Sequence, residues 1–201
     1  NIMSVLTQLF TAILIVISIS GCIKSKSSSE ETKRVKDLSS YLEKGENLAG
    51  ATQKVLASNL ISAIEKDGAE YALEFCNIEA QPLTDSMAVA LNAHIKRVTD
   101  QPRNPKNLAN ETELAYIKSS KVMLSNGEEV KPETHQVGKK VIAYYPIITN
   151  QLCMQCHGSS GDQIKNTTLE KIQSLYPEDM ATGYEVGELR GIWVVEMEEM
   201  E

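Results

Sequence analysis

Along residues 38–66, apolar side chains recur at Leu48, Val55, Leu56, Leu60, Ala63 and Ile64, the spacing that lays one stripe along a helix. Asp67-Gly68 breaks the pattern and closes that helix. A second helix is expected over 69–76, ending near Asn77, and a third, short one to about Leu91. Pro82 falls early in the third, where a missing N–H matters least. "HIKRVTD" (94–100) reads as a strand, and "ANETELAYIKSSKVML" (109–124) as a helix capped by Asn110, with Glu111 and Glu113 near its positive end. "EEVKPE" (128–133) and "KKVIAYYPIIT" (139–149) read as two arms of an antiparallel hairpin joined near Gly138. "TTLEKIQSLYP" reads as a short helix ended by Pro177, and "LRGIWVVEM" as the last strand. Helices first and then an antiparallel sheet with helical inserts give an α+β fold. Trp193, Tyr144 and Tyr145 alternate with aliphatic residues on these strands and are expected in the core.

The N-terminus follows a different pattern. Residues 1–21, "NIMSVLTQLFTAILIVISISG", carry no charge and give way to the polar "KSKSSSEETKR". Ile19-Ser20-Gly21-Cys22 resembles the lipobox of bacterial lipoprotein signals, in which the Cys is lipidated after cleavage; a transmembrane anchor is the other reading. The expected organisation is a signal peptide over 1–21, a lipidated flexible tether over 22–37 and one domain over 38–201. Lipidated Cys22 would tie the chain to the bacterial cell envelope, facing the periplasm. Ile23, with no Asp at that position, favours the outer membrane by analogy with other lipoproteins.

The chain has 201 residues and a net charge of −7. An acidic body is a poor match for a polyanion, so no nucleic acid is expected as a partner. The "EMEEME" terminus (196–201) extends that charge as a tail for solvent.

Besides Cys22 the cysteines are Cys76, Cys153 and Cys156, and His157 follows the last directly. Cys153-Met154-Gln155-Cys156-His157 is C-x-x-C-H, the attachment signature of c-type haem. Two intervening residues let one helical turn present both sulfurs to the two vinyl groups along one porphyrin edge, while the adjacent imidazole reaches the iron. Chance placement of these residue types would give the motif about once in a thousand such chains. A structural zinc site usually needs a second Cys/His pair, and the sequence has none. A thioredoxin-like site needs a βαβ setting, whereas "KKVIAYYPIIT" leads into a Gly-rich loop. A plain disulfide between Cys153 and Cys156 is the remaining alternative.

One covalent haem c with His157 on the iron leaves the opposite axial position to be filled. Cys76, His94, His135, Met87, Met123, Met180, Met197 and Met200 are the candidates. Cys76, in the helical-looking "GAEYALEFCNIEAQPL", also reads as a small buried hydrophobe. His94 beside a strand and His135 in a polar loop read as surface residues, and the methionines as core fillers.

Four stretches taken in order, "EFCNIEAQP", "KRVTDQPRNPKN", "YYPIITNQLCMQCHG" and "YPEDMATGYEVGELRGIWVV", resemble the single-haem c-type domains of PAS-like fold, long catalogued as a domain of unknown function. Such domains occur alone and as the extracytoplasmic sensing portion of histidine kinases and chemoreceptors. The resemblance covers about residues 45–198. It implies a PAS-like antiparallel sheet with flanking helices and a long N-terminal helix. It implies haem on Cys153 and Cys156, His157 as proximal ligand, and Cys76 as the sulfur ligand opposite. Arg97 and Arg103 match the family's arginines around "RNP"; haem propionates are one partner for them, and a turn fixed by Arg103-Asn104-Pro105 is the other reading. The expectation is a redox or small-ligand sensor working through a redox or signalling protein partner, with a periplasmic electron-transfer cytochrome as the alternative. No enzyme is expected, because a sulfur-capped iron closes the face that a peroxidase would use.

Overall fold

The computed structural model describes the backbone of residues 24–198 and the side chains of 38–198. The signal peptide, Cys22 and Met200 lie outside the described residues. Of the tether expected over 22–37, the backbone from Lys24 onward is helical. Among the described residues no helix is long and apolar enough to cross a membrane.

The element order is α1 (Lys24–Ala90), β1 (His94–Val98), α2 (Glu111–Ser125), β2 (Glu133–Val137), β3 (Lys140–Ile148), α3 (Met154–His157), α4 (Asn166–Leu175) and β4 (Leu189–Glu198). The strands form one antiparallel sheet in the order β1-β4-β3-β2, the PAS-like α+β arrangement with flanking helices and a long N-terminal helix. Strand alternation splits the apolar side chains between two faces. Ile95, Val141, Ala143, Tyr145, Trp193, Val195 and Met197 pack with Tyr41 and Ala49 of α1. Val98, Tyr144, Ile192 and Val194 pack with Tyr116 and Ile117 of α2. Trp193, Tyr144 and Tyr145 are thus core residues. Tyr145 also ties α1 to the sheet, its hydroxyl donating to Leu42 O at 2.7 Å.

Several local features follow from sequence directly. Asn110 caps α2 in a reciprocal capping box with Glu113. The β2–β3 hairpin turns at Gly138, whose φ of +65° suits a residue without Cβ. Asp67 and Gly68 interrupt the helical backbone of α1, with Gly68 at φ +76°, ψ −170°, a conformation open only to glycine at low cost.

Two expectations are corrected. The helix after Gly68 does not end near Asn77 but runs unbroken to Ala90 with Pro82 inside it. A proline there forfeits a hydrogen bond at about 3 kcal/mol. Pro82 and Ile78, whose carbonyl loses its partner, are both exposed, so water takes that carbonyl. Buried Ala72, Leu73 and Thr84 hold the helix on either side. The first hairpin arm is "ETHQV", not "EEVKPE", because Pro132 has no N–H for the ladder. His135 therefore sits on a strand, its ring 5.2 Å from that of Tyr144, rather than in a loop.

Candidate functional site

Residues 149–188, between β3 and β4, carry the C-x-x-C-H motif. Asn150 caps a single 3-10 turn, Gln151–Cys153, and α3 continues it for four residues through Cys156 and His157. One short turn thus presents both thiols and the imidazole, as the spacing requires. Cys153, Cys156 and Cys76 are all free thiols. The Cys153 sulfur contacts the side-chain oxygen and backbone N–H of Asn150 at 3.4 Å.

Cys76 comes to the same place from α1. Leu73, one turn earlier, is buried against Ile164 and Ile172, and Cys156 packs on the edge of that cluster. Below it, Glu70 accepts from the hydroxyls of Thr167 and Thr168 at 2.5 and 2.8 Å, and Glu74 pairs with Lys171 at 2.6 Å. Leu73, Glu70 and Glu74 therefore dock the Cys76 helix onto α4, near enough to Cys156 that Cys76 helps to hold the Cys156 pKa up.

His157 is oriented by its own segment. Its Nδ1 lies 2.7 Å from Ala181 O, which requires the proton on Nδ1 and leaves Nε2 with its lone pair. Burial first, then the nearby Arg190 and Arg103, hold the imidazole well below its ordinary pKa, against the Ala181 bond that raises it. The ring is neutral at physiological pH, the state a metal ligand needs. The Tyr184 ring meets it edge-on at 6.3 Å.

Three guanidinium groups surround these residues with one carboxylate among them. Arg103 is engaged through two of its three nitrogens: Nε donates to Asp179 Oδ1 at 2.9 Å and Nη2 to Cys156 O at 2.6 Å. Neither reading drawn from "RNP" alone anticipates this clamp, although Asn104 does cap the turn at Pro105–Asn107. Arg190 donates to Thr99 Oγ1 and Gln101 O, and burial brings its pKa down to about 10. The Arg97 guanidinium makes no hydrogen bond to the described residues and lies 5.9 Å from the Trp193 ring. It keeps accessible surface, yet desolvation is the main influence lowering its pKa. Half-buried Cys76, Cys156 and His157 share that desolvation: burial pushes both thiols up, Cys156 to about 11, while Arg97 and Arg103 pull Cys76 back down.

The other axial candidates, Met180 apart, lie elsewhere. His94 is exposed on β1, and Met123 sits on α2. Met197 is buried on the sheet and Met87 lies near the end of α1, whereas Met180 stands in the site segment itself, between Asp179 and Ala181, and is 54% exposed. Among the described residues no three His, Cys, Asp or Glu side chains converge as ligands for an ion. A cavity of about 480 Å³ beside α2 is lined by Tyr116, Ser120, Met123, Glu128, Glu129, Val130, Lys131 and Glu133, and by none of the site residues above. Sequence reasoning missed Asp179, Ala181, Tyr184 and Arg190. Their signal was the "YPEDMATGYEVGELRG" stretch, whose polar residues have no surface periodicity to explain them.

Comparison with solved structures matches the crystal structure of the cyanobacterial haem-protein Tll0287, with TM-score 0.53 and 18% identity, over 86% of this chain and 97% of that one. At that identity the likeness speaks for the fold. No curated protein matches the chain. The family model described as Tll0287-like matches residues 24–197, which take in every residue of the site above, and the chain belongs to the Tll0287-like family.

Proposed function

We propose that the chain is a covalent c-type haem protein: one haem c joined through thioethers at Cys153 and Cys156, with His157 and Cys76 on the two faces of the iron. The observation that carries this reading is the His157 Nδ1 contact to Ala181 O at 2.7 Å. It leaves a neutral Nε2 lone pair in a turn that bears two free thiols, with a third thiol close by on another helix. The donor chemistry fits, since two axial donors suffice when the bound group brings its own four in-plane nitrogens. The likeness to a solved haem protein supports the same cofactor. A bound haem supplies a one-electron change of iron charge at an axial position open to exchange.

The reading of this site as a redox or small-ligand sensor follows from Cys76. Arg97 favours its thiolate form against burial, and thiolate ligation stabilises ferric iron. Were the iron reduced or a diatomic ligand to compete for it, the Cys76 thiolate would be the group displaced, taking its proton from solvent. The helix it belongs to is then free to shift, and a separate redox or signalling protein reads the movement. A periplasmic electron-transfer cytochrome, retaining both ligands in both states, is the alternative. Lipid on Cys22 would anchor either form to the envelope, the outer membrane favoured, facing the periplasm. Catalysis and nucleic-acid binding form no part of the proposal.

Intact mass of the exported protein should show one added macrocycle; a bare polypeptide refutes the proposal. The ferric optical and EPR spectra should change on Cys76→Ala, and unchanged low-spin signals would remove Cys76 from the iron. Carbon monoxide or nitric oxide should bind the ferrous protein readily if it is a sensor and poorly if it is a carrier.

A further inference from the structure

Helix α3 has four residues, too few to satisfy its own carbonyls, because the last four C=O groups of any helix lack intrahelical partners. Outside groups take them. Arg103 Nη2 donates to Cys156 O at 2.6 Å. The N–H groups of Tyr184 and Gly183 donate to His157 O and Gly158 O at 2.9 and 2.8 Å. The imidazole makes the fourth tie, to Ala181 O. Three of the four ties come from residues 181–184, so the orientation of His157 is only as fixed as that segment.

Asp179 and Arg103 fix the segment. The Asp179 carboxylate accepts from Arg103 Nε at 2.9 Å and from the N–H of Ala181 at 3.2 Å. Arg103 Nη2 also lies 3.3 Å from Ala181 O. One guanidinium thus grips the motif turn through Cys156 O and the facing segment through Asp179 and Ala181. Both side chains are about nine-tenths buried, so the pair is shielded from the screening that weakens exposed ion pairs.

We infer that Arg103 and Asp179 are positioning residues for the iron ligand. By setting the distance between α3 and Ala181 O, the pair fixes the orientation of the His157 ring, keeps the proton on Nδ1 and makes Nε2 a stronger donor. A ligand histidine whose second nitrogen is well hydrogen-bonded is more basic and favours ferric iron. The pair therefore holds the reduction potential down. This inference rests on the haem reading above.

The test uses changes that keep the net charge of the site, so that a bystander ion pair predicts no effect. Arg103→Lys keeps the charge and loses the fork; the double change Arg103→Gln with Asp179→Asn removes one charge of each sign. In the haem-loaded full chain both should raise the midpoint potential, changing the ferric-to-ferrous ratio at fixed potential about tenfold, or about 59 mV for one electron. Deuterium exchange at the His157 Nδ1–H should become faster in both. A ratio altered less than about twofold in each, with haem attached, overturns the inference while leaving the haem reading intact. A bare polypeptide sinks both. Should the double variant not fold, Arg103→Lys decides. A measurement on the unaltered protein stands beside it: the Nδ1–H should exchange as slowly as the amides of β3 and β4, and rapid exchange there also overturns the inference.

Discussion

Residues Lys140–Ile148 and Leu189–Glu198 send alternate side chains into two apolar cores, and Val141, Ala143, Ile192 and Val195 are almost wholly buried. The forty residues between them bury far fewer large apolar side chains, chiefly Met154, Ile164, Ile172 and Tyr184. That segment is ordered by polar ties: Thr149 to Glu185 and Glu188, Arg103 to Asp179, His157 to Ala181, Glu70 to Thr167 and Thr168. Burial is non-directional and proportional to area, so it fixes a scaffold cheaply but tolerates small shifts. Hydrogen bonds are worth less each, about 0.5–1.5 kcal/mol net, but they demand geometry. A segment that must hold the His157 ring and the nearby thiols in a set geometry needs the second kind of order, on a base supplied by the first.

Breaking the scaffold should have the largest effect. Ile117 on α2 is fully buried against the sheet, and Ile117→Ala should cost about 2–5 kcal/mol through lost transfer energy and the cavity left behind. Denaturant unfolding should show the midpoint falling with the slope unchanged, and all the slowest-exchanging amides should accelerate together. A loss below about 1 kcal/mol would mean that this core does not hold the sheet.

The same contrast explains what could be read in advance. β1, β4, α2 with its Asn110 cap and the break at Asp67-Gly68 were legible, because burial writes a period of 2 or 3.6 into the sequence and caps and glycines punctuate it. Helix 69–90 was read as two pieces because Pro82 is a strong local signal, overridden here by contacts of Leu73 and Thr84 that have no local signature. At the site, the C-x-x-C-H spacing singles out Cys153, Cys156 and His157, while Cys76 is one of several candidates that only the resemblance selects. Asp179 and Ala181 were not: a backbone carbonyl carries no residue code, and the ion pair spans 76 positions.

The second region should break locally. Thr149 is 3% exposed, its hydroxyl lies 2.5 Å from Glu185 O and accepts from the Glu188 N–H at 3.0 Å. The isosteric Thr149→Val should cost about 1–3 kcal/mol for buried groups left unpaired. Amides of residues 150–158 should exchange faster while those of β3 and β4 keep their rates. Uniform acceleration would place Thr149 with the scaffold instead.

The smallest effect lies where the two regions meet, at Glu70, and pH separates it from packing. The carboxylate accepts both threonine hydroxyls at the start of α4, a helix with no side-chain cap of its own, and the positive helix end adds to the attraction. Those hydroxyl bonds hold the Glu70 pKa below its ordinary 4.5. The stabilisation is therefore present above 4.5, where the unfolded chain is also ionised, and is lost as pH falls through the lower folded value. Glu70→Gln keeps one acceptor oxygen and the side-chain length but loses the charge. Because the site is only partly buried, the cost at neutral pH should sit near the low end, about 0.5 kcal/mol. The difference in unfolding free energy between the two proteins should shrink toward zero on acidification. A difference that stays constant into acid would assign the contact to shape alone, and α4 would then be docked by Leu73 and Ile172 rather than by the carboxylate.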